Sequence, residues 1–115
     1  MPLLKISSSV RVDDQAAGEL ALEASRLVAA ATGKPEMYVM VTVEASAIAM
    51  GGTKGPAAFG DVRGIGGLTP KVNKQISAGL CALLEKRMGI PPERIYITFT
   101  DVAAQNWGWK GATFG

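Results

Sequence analysis

Two segments of the chain carry apolar residues at the spacing of one helical face. In the first segment, Asp13 or Asp14 can cap the start of a helix, and Gly33 suits the left-handed conformation just past its end. The apolar positions of this segment are Ala17, Leu20, Ala21, Ala24, Leu27, Val28 and Ala31. Their recurrence predicts an amphipathic helix that packs this face against the rest of the protein.

The second segment, between Thr69 and Gly89, has the same pattern of an N-cap residue, an apolar helical face and a final glycine. Thr69 is a favourable N-cap, Pro70 suits the first helical position, and Pro91 and Pro92 prevent the helix from continuing past Gly89. The apolar face here consists of Val72, Ile76, Leu80, Leu83 and Leu84. A second amphipathic helix is therefore predicted.

Strands are predicted at residues 3–7, a short apolar run, and at residues 37–45, which are rich in β-branched residues. Two more are predicted at residues 57–62, within a Gly-rich region, and at residues 94–100. The last of these alternates cleanly, with Ile95, Ile97 and Phe99 on one face. The order is strand, helix, strand, twice over. We therefore predict an α/β (α+β) fold with one four-stranded sheet and two helices.

The two halves of the chain also resemble each other where helix gives way to strand. Gly33-Lys34-Pro35 precedes one predicted strand, and Gly89-Ile90-Pro91 precedes another. We interpret this as an internal duplication of one βαβ unit. Two units related by a pseudo-twofold axis would place both helices on one face of the sheet and leave the other face bare.

The strand at residues 37–45 indicates how the bare face is covered. Tyr38, Met40, Val41 and Val43 make this strand apolar on both sides, which is typical of strands buried on both faces. A single domain spanning residues 1–115 has nothing left to cover the second face. A partner subunit is the simplest cover.

The composition of the chain excludes several classes of protein. Hydrophobic residues make up 48% of the chain and charged residues 19%, which is typical of a globular protein. The 12 basic and 10 acidic residues are scattered, so no basic stripe predicts a nucleic-acid partner. No apolar run approaches the ~18 residues of a membrane span, and the N-terminus lacks the pattern of a signal peptide. We expect a cytoplasmic protein.

The chain contains no histidine, and Cys81 is its only thiol. Ser-His and Cys-His nucleophile pairs, His-based zinc sites and intrachain disulfides are thereby excluded. Removal of Met1 would expose the secondary amine of Pro2, at the head of the first strand. If the protein moves protons near neutral pH, this amine is the obvious base, although a proline at this position is also unremarkable by itself.

Other candidate residues each have a plain structural interpretation. The segment Gly64-Ile65-Gly66-Gly67 fits neither a dinucleotide fingerprint nor a P-loop, but the Ile65 backbone N–H precedes a helix start, where anions bind well. It can equally be a connecting turn. Lys34 can bind an anion or only complement the end of the first helix. Trp107, Trp109 and Phe114 can line a pocket or belong to a core or interface.

Taken together, the motifs resemble the macrophage migration inhibitory factor family of the tautomerase superfamily. The resemblance runs nearly end to end, through Met1-Pro2, Ala31-Thr32-Gly33-Lys34-Pro35, Gly51-Gly52, Gly64-Ile65-Gly66, Pro92-Glu93-Arg94-Ile95-Tyr96-Ile97, Asn106-Trp107-Gly108-Trp109 and Thr113-Phe114. It implies a homotrimer whose sheets wrap into a barrel with the helices outside. It also allows secretion without a leader, and it establishes no receptor partner.

The resemblance implies an active site at each subunit junction. Pro2 would move a proton between carbon and oxygen of a small α-keto acid such as phenylpyruvate or its enol, as a keto–enol tautomerase, with dopachrome as a second substrate class. Lys34 and the Ile65 backbone would hold the carboxylate. Tyr96 from a neighbouring subunit, with Trp109 and Phe114, would frame an aromatic pocket. No metal or organic cofactor is required.

Three departures from the family pattern change these expectations. Thr98 stands where the vertebrate cytokine has an amide side chain, and Trp107 stands where it has a small aliphatic residue, so the pocket rim is altered. The segment Ala57-Ala58-Phe59-Gly60 replaces a Cys-x-x-Cys pair, so thiol–disulfide activity cannot be expected. The alternative function is a non-enzymatic, cytokine-like signalling protein that keeps the fold and a vestigial site.

Overall fold

Two α-helices pack on one face of a four-stranded sheet. The computed structural model describes residues 1–115. The sheet consists of β1 (Leu3–Ser8), β2 (Met40–Ala45), β3 (Ala58–Gly64) and β4 (Ile95–Asp101). The helices are α1 (Asp14–Thr32) and α2 (Pro70–Met88), and a short hairpin of β5 (Gly108–Trp109) and β6 (Ala112–Thr113) ends the chain. The predicted fold class is confirmed.

Both helices begin and end where the sequence predicts. The Asp13 side chain accepts a hydrogen bond from the Ala16 N–H at 2.8 Å, so Asp13 is the N-cap of α1. Thr69 caps α2 in the same way. Gly33 and Gly89 follow the two helices with φ angles of 70° and 65°, a conformation in which most other residues are strained.

The order of the strands has the twofold pattern expected of an internal duplication. The sheet runs β2-β1-β3-β4, with parallel pairs β1/β2 and β3/β4 and an antiparallel pair β1/β3 at its centre. Each half therefore contributes one parallel pair, and the halves meet at β1/β3. In both halves a turn of 3₁₀ helix, at Glu36–Tyr38 and Pro92–Arg94, separates the end of the long helix from the next strand.

These 3₁₀ turns correct two predicted strand starts. The strand predicted at residues 37–45 begins only at Met40, because the Tyr38 N–H donates to the Pro35 carbonyl and closes a turn instead. The strand predicted at residues 94–100 begins at Ile95 for the same reason, after the Arg94 N–H bonds to the Pro91 carbonyl. Side-chain alternation does not reveal such turns, because they depend on backbone hydrogen bonds that close just after Pro35 and Pro91.

The core lies between the sheet and the two helices. It is formed by Leu4, Ile6, Leu20, Ala24, Val28, Ala58, Val62, Ile76, Leu80, Leu84, Ile90 and Ile95. The close approach of α2 to the sheet depends on Gly60 of β3, where an added Cβ would lie 3.1 Å from Leu80 Cδ2. Pro2 is also completely buried, at the head of the central strand β1.

The face of the sheet opposite the helices is uncovered, as predicted, but it is less apolar than predicted. Val41 and Val43 of β2 face the helices, whereas Met40 is 63% exposed on the other side beside the polar Thr42 and Glu44. Strand β2 is therefore not apolar on both sides. The uncovered face is polar at its centre and carries apolar side chains at its margins, such as Met40 and Tyr96.

Candidate active site

The amino terminus lies at one end of the central strand β1. The Met40 N–H donates to the Pro2 carbonyl at 3.1 Å, which extends the pairing of β1 and β2 by one residue. Since Pro2 is buried and its carbonyl is bound, its ring nitrogen has a fixed position relative to the sheet. In this structure the terminal amine belongs to Met1, and it stands in for the Pro2 amine of a processed chain.

A cavity of about 330 Å³ opens at this terminus. Its walls come from the chain start, from the turn that precedes β2, and from the C-terminal hairpin: Met1, Pro2, Leu3, Met37, Tyr38, Val39, Met40, Trp107, Gly108, Trp109 and Phe114. The hairpin turn at Lys110 and Gly111 has positive φ angles at both residues, 55° and 79°. This two-residue turn folds the last strand back, so that Phe114 reaches the cavity.

The aromatic walls of the cavity contact one another. The Trp109 and Phe114 rings are stacked, with centroids 5.6 Å apart and an angle of 11° between their planes. Tyr38 meets Trp109 edge-on, with centroids 5.8 Å apart. Stacked and edge-to-face pairs of this kind hold their rings in a fixed geometry, which suits a flat aromatic ligand.

Lys34 lies beside the amino terminus, just past the end of α1. Its ammonium donates to the Ile65 and Gly66 carbonyls, both at 2.8 Å. The Ile65 carbonyl is therefore occupied, while the Ile65 N–H has no acceptor within the chain. The cation and this free N–H are the two groups that the sequence predicts for a carboxylate.

The terminal amine has a lowered pKa in this environment. Partial burial disfavours its charged form, and the neighbouring Lys34 ammonium lowers the pKa further through like-charge repulsion. A lower pKa leaves more of the amine neutral near neutral pH, which is the form that can accept a proton. The site therefore combines a terminal amine of lowered pKa, a cation and an aromatic wall.

A larger and more open cavity of about 720 Å³ lies at the opposite end of the sheet. It is lined by Ser9 and Val10, by residues 46–49 and by residues 54–56, and Lys54 is its only ionisable side chain. It offers no acid–base pair. No three His, Cys, Asp or Glu side chains come together as a metal site anywhere in the chain, and no helix is long and apolar enough to cross a membrane.

The whole chain, residues 1–115, matches the family model described as macrophage migration inhibitory factor (MIF). The chain belongs to the MIF family. This family is part of the tautomerase superfamily, so the resemblance found in the sequence is confirmed. A MIF homolog from Trichinella spiralis is 36% identical over 115 residues, covering 99% of this chain and 100% of the relative.

Solved structures of MIF proteins share the fold throughout. A MIF-like protein from Entamoeba histolytica has a TM-score of 0.95 and 33% identity, with 98% of each chain covered. A MIF homologue from Prochlorococcus marinus has a TM-score of 0.93 and 38% identity, with 98% of this chain and 99% of that chain covered. The two helices and the mixed four-stranded sheet are thus the MIF architecture.

The structure gathers most of the predicted site residues of this MIF protein. Pro2, Trp107, Trp109 and Phe114 line the cavity, and Lys34 with Ile65 lies next to the amino terminus. Tyr96 and Thr98 do not line it, because they lie on β4, two strands away from β1. Tyr96 is 68% exposed at this edge of the sheet.

The sequence did not predict that the turn before β2 forms part of the cavity wall. Met37, Tyr38 and Val39 line the cavity, but the sequence placed them in a strand. Pro35 was the available signal, since a proline after a helix end favours a turn before the next element.

Proposed function

We propose that this MIF protein is a keto–enol tautomerase of small aromatic α-keto acids, with phenylpyruvate as the test substrate. The base is the Pro2 amine, freed by removal of Met1. One observation carries the proposal: the amino terminus, whose pKa is lowered, opens into an aromatic cavity beside Lys34. A non-enzymatic signalling protein has no need for this combination.

The geometry suits proton transfer next to a carbonyl group. The neutral Pro2 nitrogen takes a proton from the carbon adjacent to the keto group, and the electron pair of the broken C–H bond forms the C=C bond of the enol. The carbonyl oxygen gains a proton in return, so that one proton moves from carbon to oxygen overall. The reverse sequence converts enol to ketone. The base is most effective when its pKa lies near the ambient pH.

The substrate carboxylate needs compensation when it leaves water. Lys34 supplies a positive charge, and the free Ile65 N–H supplies a donor, which together make charge-assisted hydrogen bonds. The substrate ring would lie against Trp109 and Phe114, whose stacked geometry presents a flat face. Tyr38 supports Trp109 from the side.

We also propose that the protein is a homotrimer with one site at each subunit junction. Strand β4 is an open edge of the sheet and Tyr96 projects from it, exposed and remote from the cavity of its own chain. A neighbouring subunit that brings its Tyr96 to this cavity would bury both groups. Trp109, which is 50% exposed in one chain, would be covered in the same contact.

The test begins with the N-terminus. Intact mass should show the loss of one methionine, and the processed protein should interconvert the enol and keto forms of phenylpyruvate. Pro2→Gly keeps a terminal amine but loses the secondary amine and the rigid ring, so kcat should fall strongly. The matched control is Pro92→Gly, which changes an exposed proline at the opposite end of the sheet and should leave kcat unchanged.

Two results would overturn this mechanism. Full activity in protein that retains Met1 would exclude the proline base, because an amide nitrogen cannot accept the proton. A folded, processed protein without tautomerase activity on aromatic or aliphatic keto acids would instead favour the signalling role.

A further inference from the structure

The loop between β3 and α2 holds the Lys34 ammonium in place. Two of the three N–H groups of this ammonium donate to the Ile65 and Gly66 carbonyls, both at 2.8 Å. The loop does not use the third, and in the unprocessed chain Lys34 also hydrogen-bonds with the Met1 amine. The direction of these two carbonyls therefore determines where the positive charge lies and which way its free N–H points.

Asp101, at the end of β4, sets the direction of the Ile65 carbonyl. Its Oδ1 accepts a hydrogen bond from the Gly66 N–H at 2.7 Å. The Gly66 N–H and the Ile65 carbonyl belong to the same peptide group, which is planar and trans, so they point in opposite directions. Holding the N–H toward Asp101 therefore turns the carbonyl toward Lys34.

The rest of the loop fits this arrangement. The Val102 N–H donates to the Gly64 carbonyl at 2.8 Å, which ties the loop to the end of β4 at a second point. Gly67 has a φ angle of 82°, and a Cβ at this position would lie 2.9 Å from Lys34 Cε. The loop thus leaves space for the lysine side chain only because residue 67 is glycine.

We propose that Asp101 is a positioning residue for the carboxylate site. It orients the Ile65–Gly66 peptide group, and this peptide group holds the Lys34 ammonium where it binds the substrate carboxylate. The proposal deepens the proposed function and rests on it, in that Lys34 is taken as the carboxylate ligand. Asp101 touches neither substrate nor base and acts through the loop alone.

The action of Asp101 is a hydrogen bond and not an ion pair. The ion pairs within 4.0 Å in this chain are formed by Arg63 with Asp61 and by Arg87 with Glu19 and Glu23. Asp101 has no such contact with Lys34. An asparagine at position 101 keeps a carbonyl oxygen that can accept the Gly66 N–H, so it should preserve the site although it removes the charge.

The experiment measures carboxylate binding without catalysis. The only two tryptophans of the chain, Trp107 and Trp109, both line the cavity, so intrinsic fluorescence reports on ligand binding there. The ligands are 3-phenylpropionate and its neutral amide, titrated into the processed protein. We expect the wild-type protein to prefer the carboxylate, and Asp101→Ala to weaken carboxylate binding by about three- to tenfold with no change for the amide.

The matched control is Asp13→Ala. Asp13 also accepts a backbone N–H through Oδ1, at 2.8 Å, and is also exposed, but it caps α1 away from the cavity. Asp13→Ala should lower the free energy of unfolding by a similar amount and leave the affinities for 3-phenylpropionate and for its amide unchanged. In a Lys34→Ala background, Asp101→Ala should have no further effect on carboxylate binding, because the group that it positions is gone.

Asp101→Asn separates the hydrogen bond from the charge, and wild-type affinity for 3-phenylpropionate is expected. Several results would overturn the proposal: equal loss for carboxylate and amide, an Asn variant as weak as Ala, additive losses in the double variant, or no preference for the carboxylate in wild-type protein. Turnover is not part of this readout. If phenylpyruvate is not converted but Asp101→Ala still weakens only the carboxylate, the tautomerase function fails while the positioning role stands.

Discussion

Lys34 has two separate effects on the proposed chemistry. Its charge lowers the pKa of the terminal amine, and its remaining N–H is available for the substrate carboxylate. The sequence alone allowed a simpler interpretation, in which the lysine complements the end of α1. In the structure the ammonium bonds to the Ile65 and Gly66 carbonyls, 31 and 32 residues further along the chain, and so lies beside the amino terminus.

Lys34→Ala should therefore change both binding and pH dependence. Loss of a charged hydrogen bond of roughly 1.5–3 kcal/mol should raise KM for keto acids on the order of tenfold or more. Because Lys34 lowers the pKa of the amine, its removal raises that pKa, and kcat/KM should need a higher pH to reach its plateau. The measurement is kcat/KM for phenylpyruvate across pH.

The control for this variant is Lys74→Ala, an exposed lysine on α2. An unshifted pH profile in Lys34→Ala would show that its charge does not act on the base. Equal KM effects on keto acids and their neutral esters would show that it does not hold the carboxylate.

Trp107 is the second residue whose effect can be measured separately. It lines the cavity where the family pattern has a small aliphatic residue, so we expect it to narrow the space for a bulky ring. Trp107→Val, alone and with Thr98→Asn, should raise kcat/KM more for phenylpyruvate than for a small aliphatic keto acid. Misplacing a substrate by about 1 Å can cost roughly a hundredfold in rate.

Trp109→Val is the contrasting variant. Trp109 is stacked on Phe114, so its loss should lower kcat/KM for the aromatic substrate. If Trp107→Val brings no gain, or the same gain for both substrates, the rim does not determine specificity.

At the scale of elements, the contact between α1 and α2 depends on one glycine. A Cβ at Gly79 of α2 would lie 2.5 Å from Leu27 Cδ1, whereas a Cβ at Gly18 of α1 would meet nothing within 4 Å. Both glycines lie inside a helix, where alanine is intrinsically better by roughly 0.5–1 kcal/mol. Comparing alanine substitutions at Gly18 and Gly79 therefore separates the effect of helix propensity on stability from the effect of packing between the helices.

Gly18→Ala should stabilise the protein by about 0.5–1 kcal/mol. Gly79→Ala should destabilise it, because displacing Leu27 costs typically 1–3 kcal/mol and exceeds the gain in propensity. Urea unfolding at one fixed protein concentration measures both. Equal stabilisation by the two variants would mean that Leu27 moves aside freely and that Gly79 does not set the distance between the helices.

At the scale of the whole molecule, one chain does not complete the proposed site. Tyr96 and Thr98 lie on an open sheet edge, while the cavity lies at the other half of the sheet. Light scattering at micromolar concentration should give about three times the chain mass of 12.0 kDa. An active, stable monomer would contradict both the trimer and the shared site.

Mixing two inactive variants tests the shared site directly. Pro2→Gly lacks the base, and Tyr96→Ala lacks the residue that a neighbour would supply. When the two are unfolded and refolded together, some junctions should combine an intact Pro2 with an intact Tyr96, and activity should return. Refolding each variant alone is the control. If both residues served the same chain's site, mixing would restore nothing.

The sequence by itself determined the two helices and the strand-helix-strand order along each half of the chain, because these depend on local signals. Apolar periodicity, the caps Asp13 and Thr69, and the glycines after each helix act within a few residues. The sequence also singled out Pro2, because a chain without histidine has few other bases. The sequence did not predict the turn at Glu36–Tyr38, because Met37 and Tyr38 are equally common in a strand and the turn is closed by a backbone hydrogen bond to Pro35.

Only the tertiary structure decided which groups meet. The contact of Lys34 with the loop before α2, the link from Asp101 to the Gly66 N–H and the meeting of Tyr38 with Trp109 join residues that are far apart in sequence. No local pattern encodes such a contact. It follows from the pairing of the strands and from the packing of helices on one face, which together bring three separate loops to the amino end of β1.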